Sequence, residues 1–379
     1  MYAVGEEDTA RVLRRDVLLL FALGVATIGV FVFTKAMAAR ELAMETHVAE
    51  TWYQDGLRKF KAGSIDGAIE SLRKATGIDR DNRGYMLALA DALAAGNHDI
   101  EAEQALMHLR DADPTNAEIN LHLARLAAKT GDVQKAVIFY HSSLDGMWKG
   151  PTAVQQRRQI RTELIYFLLA HHDETRALSE LLVLDADLPS TATAHIQIAK
   201  LFWQAGDAQR ALNDYVEAIK LDPHNAEALA GAGTADFRLG DYHKAHHYLE
   251  EAAAEGDEST DTAQLLSLVR MVTAEDPLAP GLPADERQKR LLADLDQATR
   301  RLDQCQSRGT SPDLDALNGE AGEMRTNLAS KVFFADPGLM TSGLGLIYRI
   351  ENAVDARCGA AEGQDEALLL IGRRHGDTQ

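Results

Sequence analysis

A repeat of 34 residues constrains this chain more than any other feature. Six short blocks align on an alanine, at Ala68, Ala102, Ala136, Ala177, Ala211 and Ala245. The first three alanines are 34 apart, as are the last three; the gap between the halves is 41. The seven extra residues fall around the stretch DGMWKGPTAVQQR. A period of this length marks one supersecondary unit per repeat. Such a unit buries its apolar face only by stacking on its neighbours.

The positions around each alanine carry a second pattern. Twelve residues earlier stands a small residue in five blocks (Gly56, Ala90, Ala124, Ala199, Gly233), while Ile165 departs. Five residues earlier, Gly63, Gly131, Gly206 and Gly240 supply a residue at ease with φ > 0; Asn97 substitutes for glycine, and His172 departs. Four residues later a large side chain stands in every block: Leu72, Leu106, Tyr140, Leu181, Tyr215 and Leu249. Twelve residues later Pro114, Pro189 and Pro223 end a helix in three of them.

This pattern resembles the tetratricopeptide repeat (TPR), a helix-turn-helix unit. The resemblance covers residues 49–259, strongest in the fifth and sixth blocks and weakest in the fourth. It implies an all-α fold: a right-handed superhelix of about six repeats, with the six alanines packed between paired helices. Residues 260–275 (TDTAQLLSLVRMVTAE) read as a capping helix, so the array runs over 49–276. The resemblance also implies that the first helix of each pair lines a concave face, which holds an extended peptide or a partner helix.

In that register the inward positions hold Tyr53 and Lys61 in the first repeat, and Leu121, Arg125 and Lys129 in the third. Tyr166 follows in the fourth, Lys200, Trp203 and Gln204 in the fifth, and Phe237 and Arg238 in the sixth. Aromatic anchors among cations suit an acidic or amphipathic peptide. The alternative is that Trp203 and Phe237 pack between repeats. The chaperone-binding subclass of the family carries lysine and asparagine where the first repeat has Tyr53 and Leu57, so that subclass is not implied.

Composition agrees with helices: apolar residues make up 46% but aromatics only 6%, and strands favour aromatic and β-branched residues. The formal charge of −19 repels phosphate and speaks against nucleic acid or anionic lipid as partners of the soluble part.

Residues 17–34 (VLLLFALGVATIGVFVFT) contain no charge and span about 27 Å as a helix, close to the thickness of a bilayer's hydrocarbon. The reading is an uncleaved signal-anchor over 17–39, with residues 1–16 as a tail. A cleaved signal peptide competes, since Ala36-Met37-Ala38 meets the small-x-small rule. Its apolar core would be unusually long, and Lys35 stands just before the cleavage motif. Arg11, Arg14 and Arg15 precede the run, while Lys35 and Arg40 follow it. The positive-inside rule therefore places the N-terminus in the cytoplasm and the rest in the periplasm or its equivalent.

Residues 277–283 contain three prolines and read as a linker. Residues 284–379 then read as a small helical domain. A first helix carries the stripe Leu291, Leu295, Ala298 and Leu302, a second spans 313–334 and closes at Asp336-Pro337-Gly338, and a third spans 339–357. In an up-down-up arrangement the first and third run parallel, which brings Cys305 and Cys358 to one end. A disulfide there closes a loop worth about 4 kcal/mol in the chain-entropy model and fits an exported location. Two buried free thiols are the alternative.

No phosphate-binding loop, nucleophile elbow or zinc motif is present. His243, His246 and His247 share a helix without a carboxylate or cysteine placed to complete a metal site, and His171-His172 sits at a helix turn. The reading is thus a membrane-anchored scaffold or assembly factor that holds a protein or peptide partner in a membrane complex. It needs no cofactor, metal, small-molecule substrate or catalytic residue. In architecture alone the chain resembles bacterial translocon-associated and cytochrome-maturation accessory proteins. An enzyme with its activity in the C-terminal helices, or a structural cell-envelope protein, are the alternatives.

Overall fold

The computed structural model describes residues 6–376, apart from Lys149, Thr310, Ala335 and Pro337. The first residues of the expected tail, and the proline of the expected closing turn, lie outside the described residues. Every regular element described is a helix. Two compact units divide the chain, one up to Phe167 and one from Leu168 onward.

The first unit opens with α1 (Glu6–Lys61), a single 56-residue helix. It contains both the apolar run and the first helix of the first repeat, with no break between them. At 1.5 Å per residue it is about 84 Å long. Three helix pairs follow from it. The end of α1 pairs with α2 (Ile65–Ile78), α3 (Arg83–Ala95) with α4 (Asp99–Ala112), and α5 (Ala117–Lys129) with α6 (Val133–Asp145). Helix α7 (Ala153–Ala170) comes after the insertion. There the Trp148 indole donates to the Ser143 carbonyl at 2.9 Å, and Arg157 donates to the carbonyls of Leu144 and Gly146, both at 3.2 Å.

The second unit holds α8 (Glu174–Asp185), the pair α9 (Ala192–Gln204) and α10 (Ala208–Leu221), and the pair α11 (Ala226–Arg238) and α12 (Tyr242–Ala254). Then come α13 (Thr260–Glu275), α14 (Ala284–Gln306), α15 (Pro312–Ala329), α16 (Gly338–Cys358) and α17 (Gln364–Gly376). The second helix of the C-terminal group is shorter than expected. It stops at Ala329, and Lys331–Phe334 form a 3-10 turn.

The local chemistry of the repeats explains where each helix starts and turns. Asn82, Asn116, Thr191 and Asn225 cap the first helices of their pairs by accepting a backbone N–H. Asp132, Asp173, Asp207 and Asp241 cap the second helices in the same way. The residue just before the N-cap of the second helix needs a left-handed backbone in all six repeats. Gly63, Gly131, Gly206 and Gly240 have φ of 78° to 84°, Asn97 has 62° and His172 has 56°. His172 thus meets the same backbone demand with a side chain that disfavours it. It is exposed, so little packing is at stake. His172→Gly is expected to stabilise the protein by about 0.5–1 kcal/mol, read from the urea midpoint. An unchanged or lower midpoint would count against strain at this turn.

All six repeat alanines are fully buried. Close helix approach is visible at the small residues that face them. A Cβ added at Gly56 would lie 2.6 Å from Leu72 Cγ, and one at Gly233 the same distance from Leu249 Cγ. Ala211→Leu must therefore push α9 and α10 apart, at a cost of about 1–3 kcal/mol. Thermal melts should show a lower midpoint, and an unshifted melt would contradict the packing at this alanine.

The C-terminal helices do not form a separate domain behind a linker. Tyr242, Ala245 and Leu249 of the sixth repeat share one buried cluster with Val269 and Val272 of α13, and with Leu291, Leu302, Ile347, Ile350 and Leu368. Residues 276–283 form a packed turn. Asp276 is buried and its carboxylate accepts the Leu278 N–H at 2.8 Å, while Arg290 donates to the Asp276 carbonyl at 3.2 Å. The three prolines stiffen a corner here, whereas a spacer would leave both sides free. Helices α14 and α16 pack together and their C-terminal ends meet, so Cys305 and Cys358 are paired with Cα atoms 5.8 Å apart.

Candidate functional site

The residues of the first unit that are expected to face inward are largely held by partners within the protein. Tyr53 is half-buried, its ring 4.7 Å from that of Tyr85, whose hydroxyl donates to Glu50 at 2.8 Å. Arg125 makes a two-pronged ion pair with Glu163, at 2.9 and 2.7 Å, and the Tyr140 hydroxyl donates to the same carboxylate at 2.8 Å. Burial works against the Glu163 charge, yet Arg125 and Tyr140 together hold its carboxyl below the usual range. Lys129 donates to Asp99 at 2.6 Å and to the Ala94 carbonyl. Leu121 is buried in the core, while Tyr166 is 53% exposed and Lys61 is exposed.

In the second unit, Lys200 is ion-paired with Glu227. Trp203 is half-buried, and the Arg238 guanidinium sits over its ring at 4.9 Å from the centroid. Phe237 packs against the core cluster, with its ring 5.5 Å from that of Tyr242. Of the two aromatics, Phe237 is thus mainly a packing residue. Trp203 and Arg238 form an aromatic–cation pair, and Gln204, the next residue in sequence, is exposed. His246 and His247 face Glu250 and Glu251 one turn on, at 3.2 and 3.5 Å.

Position along the repeat distinguishes the small packing residues, which are buried here, from the long polar ones. It does not reveal that Arg125, Lys129 and Lys200 are already paired. Their partners Glu163, Asp99 and Glu227 lie 38, 30 and 27 residues away in sequence. A carboxylate near each of those distances, about one repeat away, is the available signal.

Two further carboxylates escape sequence reading. Asp214 is buried and hydrogen-bonded to His195 at 2.9 Å, with burial pushing its pKa up to about 6. Asp294 lies inside the C-terminal core, 1% exposed. Neither is among the positions expected to face inward.

Comparison with known proteins bears on the second unit most directly. Residues 202–269 match the tetratricopeptide repeat family. No curated protein sequence matches the chain. Among solved structures, a tetratricopeptide repeat protein from Parabacteroides merdae is 14% identical, covering 73% of this chain and 99% of its own, with a TM-score of 0.38. The pilF protein of Pseudomonas aeruginosa is 17% identical, covering 58% of this chain and 96% of its own, with a TM-score of 0.37. PilW, described as a widely conserved type IV pilus biogenesis factor, is also 17% identical, covering 58% and 98%, with a TM-score of 0.38. Over residues 202–269 the chain is thus similar to the tetratricopeptide repeat family, and its fold is an all-α array of TPR-like helical repeats.

Proposed function

We propose that this chain is a single-pass membrane-anchored scaffold whose repeats hold a protein or peptide partner on their inward faces. The observation that carries the reading is α1. Every large apolar side chain described from Val17 to Phe33 is 55–70% exposed, so nothing among the described residues covers this stretch. Water is a poor solvent for such a surface, and a bilayer is a good one. The same helix then enters the first repeat without a hinge, which ties the position of that repeat to the membrane.

The proposed division keeps residues 1–16 as a cytoplasmic tail and 17–39 as the anchor. The array over 49–276 then continues directly into the helices of 284–379. The excess of arginines before the anchor supports an extracytoplasmic array, and the Cys305–Cys358 pair accords with an oxidising compartment. Thiol labelling of unreduced, denatured protein should then find no reactive thiol; two per chain would count against export.

Two measurements test the function. The protein should stay in the membrane fraction through alkaline carbonate washing, and a soluble chain beginning at Ala39 would overturn the anchor. A photo-crosslinking residue placed at Tyr166 or Trp203 should capture a discrete partner in cells. The same group at Glu323, on exposed α15, should not. Equal capture from all three positions, or from none, would overturn the scaffold reading.

A further inference from the structure

The first unit also indicates the chemistry of the partner. Of the cations expected to line its inward face, Arg125 and Lys129 are neutralised by Glu163 and Asp99. Lys61 remains, at the loop end of α1, two helical turns beyond Tyr53. The carboxylates of this face are less committed. Glu118, at the start of α5, is exposed and has no ion pair or hydrogen bond among the described residues. Among the described residues, the exposed Glu50 accepts only from the neutral Tyr85 hydroxyl and Gln54 amide.

Two tyrosine rings lie beside Glu50. Tyr53 comes from α1 and Tyr85 from α3, and α3 packs against both α1 and α5. Burial pushes the Tyr53 hydroxyl pKa up, and Glu50 and Glu118 push it further, so both carboxylates act on this hydroxyl. An aromatic face flanked by carboxylates attracts a cation twice, through the ring quadrupole and through charge. The same unit already shows the arrangement within the chain, where the Lys74 ammonium lies 4.4 Å from the centroid of the Trp52 ring.

We infer that the inward face of the first three repeats takes a basic segment of the partner protein, seating an arginine or lysine side chain against Tyr53 between Glu50 and Glu118. The inference rests on the scaffold reading and specifies its partner. The overall charge of −19 favours the same choice, since it draws basic segments in and turns acidic ones away.

The test uses the full chain in detergent micelles and three labelled peptides of about twelve residues, alternating leucine with arginine, glutamate or serine. The arginine peptide should bind most tightly, and its affinity should fall with salt. Glu118→Gln removes a carboxylate with no internal partner, so folding is not at risk. It should weaken arginine-peptide binding about threefold to fivefold, and Tyr53→Leu with Glu118→Gln should weaken it about tenfold. Glu323→Gln removes the same charge on α15 and controls for net charge; it should change binding less than about twofold. Tighter binding of the glutamate peptide, no binding of the arginine peptide, or equal losses in Glu118→Gln and Glu323→Gln would each overturn the inference. Photo-crosslinked capture of a partner would survive any of these results, so the scaffold reading fails or stands separately.

Discussion

Asp294→Asn is expected to stabilise the protein at pH 7 by about 2–4 kcal/mol, and the gain should disappear near pH 4. Asp294 sits on the core face of α14 between Leu291 and Leu295 and is 1% exposed. Neither of its carboxyl oxygens has a hydrogen-bond partner among the described residues. Burial, reinforced by the charges of Glu275 and Asp276 and opposed by Arg290, pushes its pKa up to about 8. The folded protein therefore keeps a proton that the unfolded chain releases above about pH 4. Stability falls as pH rises from about 4 to about 8, and is flat beyond. Asparagine cannot ionise, so the variant loses this slope and keeps the shape of the side chain. Glu351 is also raised, to about 7, and titrates in the same direction in both proteins, so the difference between them isolates Asp294. Urea midpoints at pH 4, 7 and 8.5 would decide it. Parallel pH profiles for the two proteins would show that Asp294 does not carry the penalty.

Arg301→Met should act in the opposite sense, destabilising the protein by about 3–5 kcal/mol. Arg301 is 10% exposed on its side chain and ion-paired with Glu351, which is fully buried on α16. It also donates to the Gly359 carbonyl at 2.9 Å, and its Nε lies 3.5 Å from Asp365 at the start of α17. One guanidinium thus holds α14, α16 and α17 close to the Cys305–Cys358 pair. Burial drives the Glu351 pKa up, and Arg301 is the group that pulls it back. Without Arg301, Glu351 is left buried and uncompensated. The double variant Arg301→Met with Glu351→Met removes both charges and should recover most of the loss, because isosteric apolar pairs replace buried ion pairs at little cost. Chemical unfolding with the cysteines kept oxidised provides the measurement. A single variant as stable as the parent, or a double variant as damaged as the single one, would refute this account.

Both predictions concern residues that periodicity describes poorly. Leu291, Leu295, Ala298 and Leu302 announce a helix face from spacing alone. Asp294 lies on that face too, but a polar residue in an apolar stripe reads as a boundary until the neighbouring helices close over it. Glu351 and Arg301 are 50 residues apart, and only the packing of α14 on α16 joins them. The same limit applies to the positions expected to face inward, where Arg125 and Lys129 look available in sequence and are paired in the folded unit.

The residues alone determined the features that depend on local geometry or on the repeat itself. A helix turn that needs φ > 0 selects glycine or asparagine at a set place, and His172 obeys the same backbone rule at a cost in strain. Close helix contact selects alanine and glycine at fixed spacing, and an uninterrupted apolar run defines a long exposed helix. Tertiary structure decided whatever depends on pairs distant in the chain. It made 277–283 a corner and not a spacer, merged the C-terminal helices with the sixth repeat, and assigned partners to the inward cations. Backbone conformation is set by neighbours within a turn or two, whereas burial and charge pairing are set by whichever surfaces the fold brings together.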